Sequence, residues 1–304
     1  MTNRLFTFGC SFTSYMWPTW ADILSQEYDL FENWGRLGGG NHFIMYSLAE
    51  CIKRNNINVD DTVMIMWTSI GREDRYLKNK WVTPGSVYNS SYSQEFVDNY
   101  TDPDGYLLTN MALIEMVKQT LDNIGCNYKM FKIVPFSMVN ASHKQLTFKL
   151  SLESKIASLF SDTIDVISPS VCEIIFDNDF HSRDDVVIKM AIPADAIDQL
   201  RLTYNKCAGV DWPSFGNFYN NDCGNISQEI MDEIENDFQL VTWRDNINTK
   251  RWDVHPTPNE HLEYLQKVGV SITDKQKDYA CKWDDMVLNH EVTKLLRALP
   301  KKRF

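Results

Sequence analysis

Little in this chain marks it as a disulfide scaffold, a nucleic-acid binder or a membrane protein. Its seven cysteines, at 10, 51, 126, 172, 207, 223 and 281, are odd in number, scattered, and never form a Cys-x-x-Cys pair. That pattern fits a reducing compartment, with a bridge between Cys207 and Cys223 left open beside free thiols. Basic residues are outnumbered, 30 Lys and Arg against 41 Asp and Glu, for a net charge of -11. This argues against nucleic acid or an anionic membrane as partner, because both are bound through clustered cations. Only Lys301-Lys302-Arg303 form a basic run, read as a solvated end. No run reaches the ~18 apolar residues of a membrane helix, and no leader with a basic start and apolar middle precedes the first strand-like segment. The expectation is a cytoplasmic chain, or one released or assembled by a route other than a signal peptide. Internal repeats and low-complexity segments are absent.

What is present is ample core material: 43% of the 304 residues are hydrophobic, enough for one large core or two small ones. The chain is organised around Leu5-Phe6-Thr7-Phe8-Gly9-Cys10-Ser11-Phe12-Thr13. Bulky residues from Leu5 to Phe8 suit a buried strand, and Gly9 permits a sharp turn. Ser11 would then stand at the carboxyl edge of a sheet, where open α/β sheets bind ligands. Thr19 caps a helix from Trp20 to about Glu27, and a strand follows at Leu30–Trp34. In Gly35-Arg36-Leu37-Gly38-Gly39-Gly40-Asn41, four glycines fall within six positions. Asn41 is read as the cap of a helix through Ile52, whose exposed amides would offer an anion site.

Thr62–Trp67 is a continuous apolar run that suits a central parallel strand. From Gly71 to Tyr106 the sequence turns polar, aromatic and turn-rich, as functional loops and lids are, and this insertion is expected to border the Ser11 pocket. A helix over Leu107–Ile124, ended by Gly125, and a strand at Tyr128–Val134 continue the alternation, which predicts a parallel, doubly wound α/β sheet. A helix near Leu150–Phe160, a strand-like Asp165-Val166-Ile167 and a helix over Ile226–Phe238 read as a second insertion. Thr257-Pro258-Asn259-Glu260 is a capping box with proline at the first helical position, and a last amphipathic helix spans about Asp274–Ala298. The organisation expected is a core domain over 1–270, interrupted at about 71–106 and 140–241, with a helical extension over 271–304 packed on it.

A serine hydroxyl is a weak nucleophile at neutral pH until a histidine, oriented by a carboxylate, takes its proton. Asp253-Val254-His255-Pro256 supplies both partners from one loop. With one residue between them on an extended segment, Asp253 and His255 project the same way, just ahead of the capping box. Either fragment alone is better read as an ordinary turn; the two together, with a glycine-rich loop between, make a catalytic set the stronger reading.

These blocks, in this order, resemble the SGNH or GDSL hydrolases, serine esterases and acyl hydrolases on a flavodoxin-like three-layer α/β/α sandwich. Gly9-Cys10-Ser11-Phe12-Thr13 resembles their first block, with Cys10 where the common version has Asp. Asn33-Trp34-Gly35 through Gly38 resembles the second, and Asp253-Val254-His255-Pro256 the fifth. Trp67-Thr68-Ser69 with the following Arg72 resembles the divergent members encoded by bacteriophages.

The resemblance implies Ser11 as nucleophile, His255 as acid and base, Asp253 as its orienting partner, and the amides of Ser11 and Gly38 as oxyanion donors. It implies no metal and no cofactor, and a small ester or acylated carbohydrate, most plausibly acetylated, as substrate. The family's third block also supplies an asparagine side chain to the oxyanion, which Trp67-Thr68-Ser69-Ile70-Gly71-Arg72 lacks. A hydroxyl of Ser69 or Thr68 is expected in its place, with Asn41 as second candidate. Thr68, Asn41 and Arg72 are assigned to substrate, Arg72 because a cation beside His255 would oppose the imidazolium. The alternative is a non-catalytic descendant serving as a binding or structural component of a larger assembly such as a virion, which would make the chain virion-associated if it is phage-encoded.

Other features rank lower. Asp177, Asp179, His181, Asp184 and Asp185 read as a solvated acidic turn rather than a metal site, and Asp102-Pro103-Asp104-Gly105 as a turn. Trp81, Tyr88, Tyr92, Phe96 and Tyr100 either stack on sugar rings or pin the first insertion to its own domain.

Overall fold

The computed structural model describes residues 3–15, 17–77, 80–88, 92–137, 153–177 and 255–288. The chain divides into two compact units, one of residues 1–13 and 28–174, the other of 14–27 and 175–304. The strands are β1 (Arg4–Phe8), β2 (Leu30–Asn33), β3 (Thr62–Trp67), β4 (Arg72–Leu77), β5 (Lys80–Ser86) and β6 (Asn127–Lys132). The helices are α1 (Trp20–Leu24), α2 (Asn41–Asn55), α3 (Gln94–Tyr100), α4 (Pro103–Ile124), α5 (Glu153–Leu159), α6 (Ser161–Asp165), α7 (Val171–Ile175), α8 (Pro258–Lys267) and α9 (Asp274–Leu288).

The first unit is a mixed α/β assembly built on a four-stranded parallel sheet in the order β2-β1-β3-β6. Phe8 pairs with Ile65 and Trp67 with Lys132, so β1, β3 and β6 end side by side. Every residue of β3 is buried, which is why its sequence is a continuous apolar run: a central parallel strand is covered on both faces. A single parallel bridge between Met130 and Ile167 adds a fifth position. The strand predicted at 165–167 therefore shrinks to one residue, because α6 runs on to Asp165.

Helices α2 and α4 pack on each other, and α2 also packs on β1 and β3. Ile44, Leu48 and Cys51 of α2 recur at helical spacing, as do Leu107, Met111, Ile114, Val117 and Leu121 of α4, and all join Phe6, Phe8, Ile65 and Trp67 in one core. Each large side chain fully withdrawn from water contributes roughly 1.5–3 kcal/mol. Asp102-Pro103-Asp104-Gly105 begins α4: the Asp102 carboxylate accepts from the Asp104 amide at 3.1 Å with Pro103 at the first helical position. The helix thus starts four residues before Leu107, where the apolar spacing placed it.

The insertion at 71–106 is more regular than its composition suggests. β4 and β5 form an antiparallel hairpin, and α3 follows. Thr83-Pro84-Gly85, a turn by sequence, lies inside β5, where the register shifts between Glu73 and Arg75 and Gly85 takes φ +89°. The glycine is the mark of a bulge, and Pro84 has no N–H to lose from the ladder.

The second unit contains α1, α8 and α9, which pack together. The capping box before α8 is complete, with the Glu260 amide donating to Thr257 Oγ1 at 3.2 Å and the Thr257 amide to Glu260 Oε2 at 2.9 Å. Residues 25–27 form a 3₁₀ turn, so α1 is shorter than predicted. Gln276 of α9 donates to the Leu24 carbonyl, and the Asn259 amide donates to Asp284 at 2.9 Å. The predicted helix at 226–238, Cys207, Cys223, the acidic residues after Asp177 and the end of the last helix lie outside the described residues. No helix among the described residues is long and apolar enough to cross a membrane.

Candidate active site

Ser11 sits on a turn that the sequence leaves little choice but to form. The Thr13 amide donates to the Cys10 carbonyl at 2.9 Å, closing the turn straight after β1. A Cβ at Gly9 would lie 2.0 Å from Thr13 Oγ1 and 3.1 Å from the Met66 carbonyl, so only glycine fits there. Asn33 holds the turn from the side: its Nδ2 donates to the Thr13 carbonyl at 2.7 Å and its Oδ1 accepts from the Gly35 amide at 2.9 Å. The Arg36 amide donates to the Gly9 carbonyl at 3.0 Å, tying the glycine-rich loop to the same edge. Ser11 itself is buried, with its Oγ 3.7 Å from Cys10 Sγ.

The glycine-rich loop is shaped by the hairpin. Gly39 donates to the Arg36 carbonyl at 3.0 Å and Gly38 takes φ +72°, a type II turn with glycine at its third position. A Cβ at Gly38 would come within 2.5 Å of the Thr83 carbonyl, and Thr83 Oγ1 donates to Leu37. The amides of Ser11 and Gly38 donate to no acceptor among the described residues.

The anion site expected at the start of α2 is filled from within. Asp74 of β4 accepts from the Gly40 and Phe43 amides at 2.8 and 2.9 Å. Burial raises the Asp74 pKa above the usual carboxylate range, although both amides favour its ionised form. Gly40, not Asn41, is the cap residue, because its carbonyl accepts the first helical bond, from Ile44. Arg72 donates to the Gly39 carbonyl at 3.0 Å and Arg36 to the Trp81 carbonyl at 2.8 Å. Burial lowers the Arg36 pKa to about 10, with Asp74 partly opposing the shift.

At the end of β3 the structure joins two of the sequence-predicted residues. Asn41 Oδ1 accepts from the Thr68 amide at 2.9 Å, and its Nδ2 donates to the Thr68 carbonyl at 3.1 Å and to Asn110 Oδ1 at 2.7 Å. Asn110 in turn donates to the carbonyls of Ile70 and Tyr106. The Asn41 carboxamide is thereby committed to holding residues 68–70. The hydroxyls of Ser69 and Thr68, both buried, find no hydrogen-bond partner among the described residues. Such groups are costly to leave unpaired and are commonly found where something else binds.

In the second unit, His255 lies on the loop before α8, its ring stacked on Tyr15 with centroids 3.7 Å apart and planes at 15°. Trp17 meets Tyr15 edge-on at 4.6 Å and donates its Nε1 hydrogen to the Pro256 carbonyl at 2.8 Å. His261 of α8 is buried, and burial together with the charge of His255 depresses its pKa to about 3. Asp253 lies outside the described residues.

Of the insertion aromatics, Tyr88 packs on the core beside Tyr106, and Trp81 sits among Phe43, Tyr46 and Tyr76 at 5.3–5.5 Å. Asp74, Asn110, Tyr15 and Trp17 were not singled out by sequence. Asn110 left a signal, a polar residue on the apolar face between Leu107 and Ile114; the other three left none. No protein-family model matches the chain, and no curated protein matches it.

Proposed function

We propose that this protein is a serine hydrolase of the SGNH or GDSL kind, which removes a short acyl group such as acetyl from a small ester or an acylated carbohydrate. One observation carries the proposal: Ser11 lies on a glycine-enforced turn straight after β1, which pairs with β3, and just past the end of β3 the buried hydroxyls of Thr68 and Ser69 have no hydrogen-bond partner among the described residues. The order of the parallel strands supports a flavodoxin-like sheet, in which ligands bind at the carboxyl edge where the winding reverses, here between β1 and β3.

In the proposed reaction Ser11 Oγ attacks the acyl carbon as His255 takes its proton, with Asp253 orienting the ring. The alcohol leaves with that proton, and water then hydrolyses the acyl-serine by the same steps. The amides of Ser11 and Gly38 and the Ser69 hydroxyl donate to the oxyanion. Asn41 acts by fixing the loop that carries Thr68 and Ser69.

One observation favours the non-catalytic alternative: Asn41 and Arg72, assigned to substrate by sequence, both bond within the fold. A fluorophosphonate probe decides between the two. Labelling that maps to the peptide holding Ser11 is expected, and a full chain that takes up no label and turns over no short-chain ester is the non-catalytic component instead. If Ser69 is the third donor, Ser69→Ala lowers turnover of a small ester about a hundredfold at little cost in thermal stability. Unchanged turnover would remove Ser69 from the oxyanion site.

A further inference from the structure

The contacts around His255 assign a role to two residues that carry no chemistry of their own. Aromatic pairs commonly sit with centroids 4.5–7 Å apart, offset or edge-on. Tyr15 and His255 are at 3.7 Å and nearly parallel, so one face of the imidazole is covered by the phenol ring. Rotation of the imidazole about its Cβ–Cγ bond would drive its edge into that ring. Tyr15 is itself held, because Trp17 packs against it edge-on and both are buried. The Trp17 hydrogen bond to the Pro256 carbonyl fixes the backbone next to His255, and the capping box at Thr257 fixes the residue after that. Side chain and main chain of the histidine are thus restrained by Tyr15 and Trp17.

We infer that Tyr15, backed by Trp17, is a positioning residue that sets the plane of the His255 ring for the proton transfers of the proposed reaction. The inference rests on the hydrolase reading. A triad histidine must present both nitrogens in one fixed plane through two proton transfers. A stack acts on the ring face, so it restrains that plane without itself engaging the nitrogens' in-plane hydrogen-bonding sites. The π face of a tyrosine also favours the imidazolium formed during the attack. Simple loop packing is the competing account, and it requires only that the site be filled.

The test uses the full chain and two readouts. Tyr15→Phe keeps the ring and is expected to hold kcat within about twofold, whereas Tyr15→Leu and Tyr15→Met fill the space without it and lower kcat about tenfold or more with KM little changed. In proton NMR, the ring-current field of Tyr15 shifts the His255 ring signals upfield in the wild type and in Tyr15→Phe, and that shift is lost in the other two. Thermal melts identify any variant that fails to fold, and the remaining aliphatic variant then carries the comparison. An active enzyme whose Leu or Met variant keeps wild-type kcat overturns the positioning role alone, as do unshifted His255 signals in an active wild type. Shifted signals in a protein inert to esters and to the fluorophosphonate probe overturn it together with the hydrolase reading.

Discussion

On the proposed serine-hydrolase reading, Ser11→Ala is expected to reduce turnover of a short-chain ester by at least about 10⁴-fold and to leave the thermal midpoint within a few degrees of wild type. The loss is large because without a nucleophile no acyl-enzyme forms, and only binding and oxyanion donors remain to act on water. The fold is spared because the Ser11 hydroxyl has so little structural use. Its contact is a 3.7 Å approach to Cys10 Sγ, a weak donor and acceptor. The turn depends instead on the Thr13 amide, the Asn33 carboxamide and the Arg36 amide, none of which the substitution touches. Steady-state kinetics and a melt on the same preparation check both halves. Retained turnover would show that another residue performs the attack, and a midpoint lowered by many degrees would show that this serine serves the fold.

The parallel strands were legible because burial on both faces leaves a one-dimensional trace. Thr62 to Trp67 reads as an apolar run whatever its neighbours are. The β4–β5 hairpin left no such trace, since Arg72–Leu77 is half-buried at one end and exposed at the other. What it contributes is polar: Asp74 on the amides at the start of α2, Arg72 on Gly39, and Thr83 on Leu37. Bonds of that kind follow from how two loops meet, and neither loop's composition specifies the meeting. The same limit applies to the candidate site. Ser11 and the glycines were readable because a turn needs particular residues at particular offsets. The commitment of Asn41 to Thr68 spans 27 residues, and that of Trp17 to Pro256 spans 239, so no local pattern encodes either.

Acid is expected to loosen the unit that carries His255 through His261 rather than through a catalytic group. The buried His261 holds its pKa at about 3, against an ordinary value of 6.5. Above pH 6.5 neither the folded nor the unfolded chain protonates this ring, and its contribution to stability is fully present. As the pH falls below 6.5 the unfolded chain gains a proton that the folded chain refuses, so stability is lost down to about pH 3, below which both forms are charged. One such proton costs about 2 kcal/mol between pH 7.5 and 5, and about 4 kcal/mol by pH 3. Hydrogen exchange in α8 peptides, corrected for the intrinsic pH dependence of exchange, should show protection at pH 7.5 that declines by pH 5. His261→Gln, which removes the titration and keeps a polar side chain, should flatten that decline, and a wild type equally protected at both pH values would show that His261 accepts its proton in the folded state. Because α8 begins two residues after Pro256, opening of this helix also frees the loop that holds His255. Activity lost between pH 6.5 and 5 would then contain a structural part, recognisable because His261→Gln restores it while leaving Ser11, His255 and Asp253 unchanged.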